Sequence, residues 1–390
     1  MTPRPRLLIV GRNRYRLPLD EGLARKFDAL GAELELRVLA SAAAGSAGDA
    51  VFALVPEARP RVVDGALFHL LLPLRAACEL RRFRPDAVLV QGAHEAFAVL
   101  LARRLARRAT PVVLDLHGDW RGAARLYGSR ARRLAAPLAD RAAVAAIRRV
   151  DAVRTVSAFT SGLVRALGVE PAGEFPAFVD LEGLAGEPAP LPERPRALCV
   201  GALEPVKGID VLAEAWPRVA ARVAGAELWV VGRGSRDALV AALAADPALR
   251  VFWRGEVPGA EVARELDRST LLVLPSRSEG LPRVAIEAFA RGRGVVGSRA
   301  GGIADIVEDG VSGVLTEPGD AAALADALAD VLASPERAAR LGRAAAAGAG
   351  DWIGSPEEFA ARLRALVEDV CGERRRLDLD PCAPTGSSRS

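Results

Sequence analysis

Short, largely apolar runs alternate with amphipathic stretches along most of the chain. In the first half the runs are RLLIV (Arg6–Val10), ELRVL (Glu35–Leu39), DAVLVQG (Asp86–Gly92), PVVLDLHGDW (Pro111–Trp120) and DAVRTVS (Asp151–Ser157). Helical patterns near 19–30, 65–83 and 94–107 separate them, followed by an Arg-rich amphipathic segment at 121–149 and a helix ending at Gly168. A basic stretch, RNRYR, follows Gly11 and reads as a loop, as does the low-complexity SAAAGSAG at 41–48. Mostly apolar runs of this length predict strands covered on both faces. Helices between them make the sheet parallel and doubly wound.

A burst of Pro and Gly, GLAGEPAPLPERP at 183–195, interrupts this rhythm and reads as a linker. The pattern then restarts with five strands: ALCVG (Ala197–Gly201), ELWVVG (Glu227–Gly232), VFWRG (Val251–Gly255), LLVLP (Leu271–Pro275) and VVGS (Val295–Ser298). Pro217 is expected to kink or end the helix after Lys207. Helical stretches at 320–333, 335–346 and 356–371 complete the chain. The expected organisation is therefore a first domain at 1–182, the linker at 183–195, a second domain at 196–355, a terminal helix at 356–372 and a disordered tail at 373–390. Two doubly wound sheets leave a cleft between the carboxyl ends of their strands, where ligands bind in such folds.

Composition narrows the class only modestly. In 390 residues, 51% hydrophobic and 26% charged content is ordinary for a globular protein. The apolar run LFHLLLPL (Leu67–Leu74) is too short to span a bilayer and contains Pro73. The N-terminal apolar run is four residues long, too short for a secretion signal. Cys78, Cys199, Cys371 and Cys382 have neither metal nor redox spacing, so a cytoplasmic chain with reduced thiols is expected. Residues 1–195 carry 29 Lys and Arg against 21 Asp and Glu, and the remainder 24 against 28. The basic half suits an anionic acceptor or peripheral contact with the inner face of a membrane, although a solvated face explains it as well. No nucleic-acid partner is expected. Among 53 basic residues only Lys26 and Lys207 are lysine, so a compact ammonium at either position stands against a strong arginine bias.

The most informative stretch is PSRSEGLPRVAIEAF at 275–289. A strand feeds a polar loop and then a helix, with Pro282 read at the first helical position. Such a corner aims free amides and a helix amino terminus at an anion. Glu279 and Glu287 bracket it, and both belong to one corner, which suits hydrogen bonds to sugar hydroxyls better than the opposed carboxylates of a glycosidase. Gly201–Gly208, GALEPVKG, lacks the Ser or Thr and the spacing of a P-loop, yet its small residues and Lys207 suit a phosphate. GRGSR (Gly232–Arg236) lacks the third glycine of a dinucleotide fingerprint, and Arg254 lies where an acidic ribose reader would be sought. His117, at the carboxyl end of a strand, faces the expected cleft; His69 lies mid-helix on an apolar face. The DLD at Asp378–Asp380 lies in the expected tail and receives no role.

These motifs resemble the group 1 (family four) retaining glycosyltransferases, most strongly over 196–320. Glu279 and Glu287 are similar to the family's pair of glutamates separated by seven residues. VGALEPVKG, VVGRG, the Gly301–Gly302 pair followed by Asp305, and GVLTEPGD extend the likeness. The resemblance implies the GT-B fold, two facing Rossmann-like domains with the terminal helix crossing back to the first. It implies metal-independent transfer of a hexosyl unit from a UDP- or GDP-sugar to a glycan, lipid-linked or small-molecule acceptor, with retention and no cofactor. By position, Lys207 would grip the diphosphate and Glu287 the ribose. Glu279, Gly280, Leu281 and Pro282 would hold the hexose and phosphate, and His117 would approach the reacting carbon. Gly11, Ala202 and Gly232 would border the phosphates, and Glu256 and Val257 the base. Ala202 stands where the family often has Arg, so Arg12 or Arg16 would supply a second cation. FPAFVD (Phe175–Asp180) replaces a family turn, leaving Asp180 as its familiar residue. A sugar-nucleotide-binding homologue without turnover and a nucleotide-sugar epimerase are the competing readings.

Overall fold

A computed structural model describes residues 4–57, 61–121, 130–179, 188–352 and 354–379. The first sheet comprises β1 (Arg6–Tyr15), β2 (Glu35–Ala42), β3 (Phe52–Val55), β4 (Ala87–Gln91), β5 (Val112–Leu116), β6 (Ala152–Thr155) and β7 (Gly173–Glu174). Its order is β3-β2-β1-β4-β5-β6-β7 and every neighbouring pair is parallel. The second sheet comprises β8 (Arg196–Val200), β9 (Glu227–Val231), β10 (Val251–Gly255), β11 (Leu271–Leu274), β12 (Gly294–Ser298) and β13 (Gly313–Thr316). Its order is β10-β9-β8-β11-β12-β13, again wholly parallel.

The strands form where the apolar runs are continuous, because both faces of each sheet are covered. One face of the first sheet packs beneath helices Arg61–Phe83, Ala93–Ala106 and Arg130–Ile147, with Leu72, Val99 and Ile147 in the seam. Helices Glu21–Glu33 and Pro356–Leu379 cover the other, where Leu30, Leu363 and Val367 meet β1 and β4. The terminal helix therefore completes the core of the first domain. In the second sheet helices Ile209–Arg222 and Ala321–Leu332 cover one face, and Gly259–Asp267 and Arg283–Ala290 the other.

Several boundaries differ from the sequence reading. β1 continues through the basic stretch read as a loop; its register shifts after Val10, and Arg14 and Tyr15 rejoin β2. The short strands β3, β7 and β13, of four, two and four residues, fall outside the runs read as strands from the sequence. Helix Ile209–Arg222 runs through Pro217, because the adjacent Trp216 is fully buried and its indole donates to the Leu249 carbonyl at 2.7 Å. Tertiary packing thus outweighs the local penalty of an interior proline. Pro282 precedes the helix Arg283–Ala290 as its N-cap, in extended backbone with ψ 96°. The last helix passes residue 372 into the expected tail and reaches Leu379, fastened by Arg374 to Asp151 at 2.6 Å. Asp180, Cys382 and residues 122–129 lie outside the described residues.

Candidate active site

The strand ends of the second domain build one wall of the cleft. After β8 the chain makes a tight turn, Pro205–Lys207, closed by Gly208 at φ +64°. A Cβ on Gly208 would stand 1.9 Å from the Pro275 carbonyl oxygen, so only glycine lets this turn nest against the loop after β11. Arg277 fastens the same two loops. Its guanidinium spans both Asp210 carboxylate oxygens at 2.7 Å and donates to the Pro205 carbonyl, while its amide donates to Val206. A bidentate fork fixes orientation as well as distance. The Arg277 contact holds the Asp210 carboxyl below its usual range.

This clamp places Lys207 Nζ 2.6 Å from Glu279 Oε1. The Ser276 hydroxyl donates to the same oxygen at 2.7 Å. Glu287 is half-buried one turn into the following helix, and burial raises its pKa against the opposing charge of Arg283. No described contact joins Glu287 to Lys207. The strand-end loops of β8, β9 and β10 lie side by side. The Gly201 amide donates to Val231 and the Gly232 amide to Gly255 at 2.7 Å. Glu256 is exposed beyond them, and Val257 is half-buried against the core. Arg233 lies over the Trp253 ring, 4.9 Å from its centre, and that indole donates to the Gly232 carbonyl.

The first domain supplies the opposite wall. His117 follows β5, its side chain 44% exposed, with Nε2 2.8 Å from Asp115 Oδ2. Asp115 is buried, and its other oxygen pairs with the buried Arg154, which also donates to the carbonyls of Phe175 and Pro176. Burial alone would raise the Asp115 pKa, but His117 and Arg154 together hold it well below the usual carboxylate range. Lys26, half-buried beside the Phe359 ring, has its pKa lowered to about 8. Burial is the main cause; Asp115 opposes it and Arg154 and Arg283 add to it.

The two walls touch where the loop of Glu279 meets the first domain. A Cβ on Gly280 would stand 1.6 Å from the His117 carbonyl oxygen. Ser157, the N-cap of helix Ala158–Arg165, donates its hydroxyl to the Gly280 carbonyl at 2.9 Å. Two residues on, in the first turn of that helix, the Phe159 amide donates to Asp305 of the second domain at 2.7 Å. A helix amino terminus thereby finds its anion across the cleft.

The structure therefore gathers Lys207, Glu279, Gly280 and the His117 backbone at one place. Pro282 and Leu281 follow directly; Ala202 lies just past the end of β8, whereas Gly11 lies inside β1, where the register with β2 shifts and β1 pairs with Gln91 of β4. Arg12 is instead paired with Asp64 at 3.3 Å, and Arg16 is exposed; neither has a described contact with the Lys207 turn. Sequence reasoning passed over Ser276, Arg277, Asp115 and Arg154, and it marked Lys26 as an unusual lysine without giving it a place. The one signal for Asp115 and Arg154 was a charge inside an otherwise apolar strand.

Comparison with known proteins places this geometry. Residues 194–334 match the family Glycosyl transferases group 1, and residues 21–182 match Glycosyltransferase Family 4. The chain is 32% identical over 254 residues to the GDP-mannose-dependent alpha-(1-6)-phosphatidylinositol monomannoside mannosyltransferase of Mycolicibacterium smegmatis. That alignment covers 59% of this chain and 65% of the relative, just under two thirds of its length. The fold is similar to that of sucrose-phosphate synthase from Thermosynechococcus elongatus, with a TM-score of 0.73 at 17% identity over 96% of this chain and 99% of that one. It is also similar to Anabaena Alr3699/HepE in complex with UDP and glucose, with a TM-score of 0.68 at 19% identity over 93% of this chain and all (100%) of that one. Two facing Rossmann-like domains, with both family matches falling in sequence order upon them, make this chain a member of the group 1, family 4 glycosyltransferases with the GT-B fold.

Proposed function

We propose that the chain moves a hexosyl unit from a UDP- or GDP-sugar to a hydroxyl acceptor held against the first domain, with retention of anomeric configuration and without a metal. The observation that carries this reading is the Lys207–Glu279 pair, set at a helix amino terminus and facing His117 across the cleft. As the bond to the diphosphate breaks, negative charge grows on the leaving oxygens and positive charge on the sugar. Lys207 and the amides preceding helix Arg283–Ala290 stabilise the first charge without reorganising. Glu279 then orients the hexose hydroxyls and Glu287 the ribose. Gly11, Ala202 and Gly232 leave room for the phosphates, and Glu256 and Val257 border the base. His117, held by Asp115, reaches the sugar near the reacting carbon. The leaving phosphate itself takes the acceptor proton, so retention needs no covalent sugar on the protein.

The related mannosyltransferase takes GDP-mannose and the Anabaena neighbour holds UDP and glucose, so both bases belong in the test. Thermal melting with UDP-, GDP-, ADP- and dTDP-sugars should single out one donor, because a ligand specific to the folded state raises stability by mass action. NMR of slow hydrolysis, or of transfer to an added acceptor, should then show an α-linked product from an α-linked donor. Donor binding with no turnover, an epimerised donor or an inverted product would overturn the reading.

A further inference from the structure

The three helices over one face of the first sheet carry an unusual outer surface. A helix packed on a sheet ordinarily turns polar side chains to water. On Arg61–Phe83 the exposed stripe instead holds Leu67, Leu70, Leu74 and Cys78 before ending in Arg81 and Arg82. On Ala93–Ala106 it holds Phe97, Leu101 and Leu105, with Arg104 among them and Arg107 and Arg108 just beyond. On the third helix it holds Pro137, Leu138 and Arg141. Leu70 is 74% exposed and Leu138 72%, far outside the range of core residues. Among the described residues, the only other exposed large apolar side chains are Phe252 and Val311.

The stripes lie side by side. His69 approaches Glu95 at 3.9 Å near the cleft ends of the first two helices, and Arg81 donates to the Leu105 carbonyl near their far ends. Leu70 and Leu74 therefore stand level with Phe97 and Leu101. The carboxylates described on these helices do not share this face: Asp64 and Glu79 are buried against Arg12 and Arg37, and Glu95 and Asp140 are half-buried. What remains outward is apolar side chains and arginines, with no exposed Asp or Glu on the described parts of the three helices.

We propose that this face rests on an anionic phospholipid surface, with Phe97 and the leucines in the interfacial layer and the arginines on headgroup phosphates. A contiguous apolar patch rimmed by one sign of charge is the pattern of an interfacial helix layer. Pairing with a second copy is disfavoured by the same charges, since the face offers no exposed carboxylate to meet another molecule's arginines. No described helix is long and apolar enough to cross a membrane, so the contact is peripheral. The proposal does not depend on which sugar nucleotide is the donor.

Flotation of the full chain with phosphatidylcholine vesicles, with and without phosphatidylglycerol, tests it. The protein should float with the anionic vesicles and be released by salt. Leu70→Glu with Leu74→Glu should weaken binding at least about tenfold. Arg104→Ala with Arg108→Ala should weaken it by about fivefold per arginine. Donor binding and melting temperature are controls, and if the leucine variant fails to fold, the arginine variant and the salt titration decide. No flotation with anionic vesicles, or unchanged flotation of the arginine variant, would overturn the proposal. So would a dimer of the native chain that the leucine variant dissolves, which would make a second copy the partner.

Discussion

Lys207 Nζ lies 2.6 Å from Glu279 Oε1, so the cation facing the cleft is held by the carboxylate beside it before any donor arrives. In the proposed reaction a diphosphate would meet an ammonium already positioned, and Glu279 would keep its contact with the Ser276 hydroxyl, 2.7 Å away, as the lysine turned towards phosphate. Lys207→Ala is expected to weaken donor binding by about 1.5–3 kcal/mol, the loss of a hydrogen bond to a charged group. Lys207→Arg should recover little of it, because a planar fork cannot occupy the place of a compact ammonium. Calorimetric titration with the donor identified by melting checks both; native affinity in the alanine variant would remove Lys207 from the diphosphate site.

Gly280 is predicted to govern how closely the two domains meet. A methyl group there would lie 1.6 Å from the His117 carbonyl oxygen, and neither partner is a flexible side chain. Gly280→Ala should therefore hold the walls apart while leaving the Lys207 turn intact. Turnover should fall by about a hundredfold, the effect of misplacing reacting groups by an ångström, with the melting temperature nearly unchanged. Steady-state kinetics beside a melting curve separates this from misfolding.

Asp115 and Arg154 form a buried pair beneath His117. Asp115→Asn would leave Arg154 buried without its counter-charge, at a cost of about 3–5 kcal/mol. The folded-state pKa of Asp115 is depressed, so its stabilising contribution is present above the unfolded value of 3.8 and is lost as pH falls towards the folded value. Denaturant unfolding of both proteins should show a full difference at pH 6 that narrows in strong acid. A difference that grew on acidification would contradict the pairing.

Lys26 offers a test of opposite sign. Its pKa falls from 10.5 to about 8, so the folded state carries a penalty for the charged form. That penalty is fully present below pH 8 and is relieved between about 8 and 10.5, where the unfolded chain still binds the proton. Lys26→Met should thus stabilise the protein by about 1 kcal/mol at pH 7, a figure discounted for partial exposure, with the advantage gone above pH 10.5. Melting curves across this range read the effect directly.

Much of this architecture is legible in the sequence alone, and the reason is local. Continuous apolar runs such as Leu271–Leu274 cannot face water on either side, so they dictated buried parallel strands and the helices that cover them. The loop from Pro275 to Pro282, with Glu279 inside it, marked the candidate site because its residue types and its place between strand and helix are properties of the chain itself. Tertiary structure decided what depends on partners far along the sequence. Arg277 reaching Asp210, Arg154 reaching Asp115, and Gly280 pressed against His117 each join segments dozens of residues apart. Pro217 stayed inside its helix because burial of Trp216 outweighed a local preference. The outward leucines of helix Arg61–Phe83 carry the same lesson: periodicity sets apolar positions on a helix, but only packing shows which of them are left uncovered.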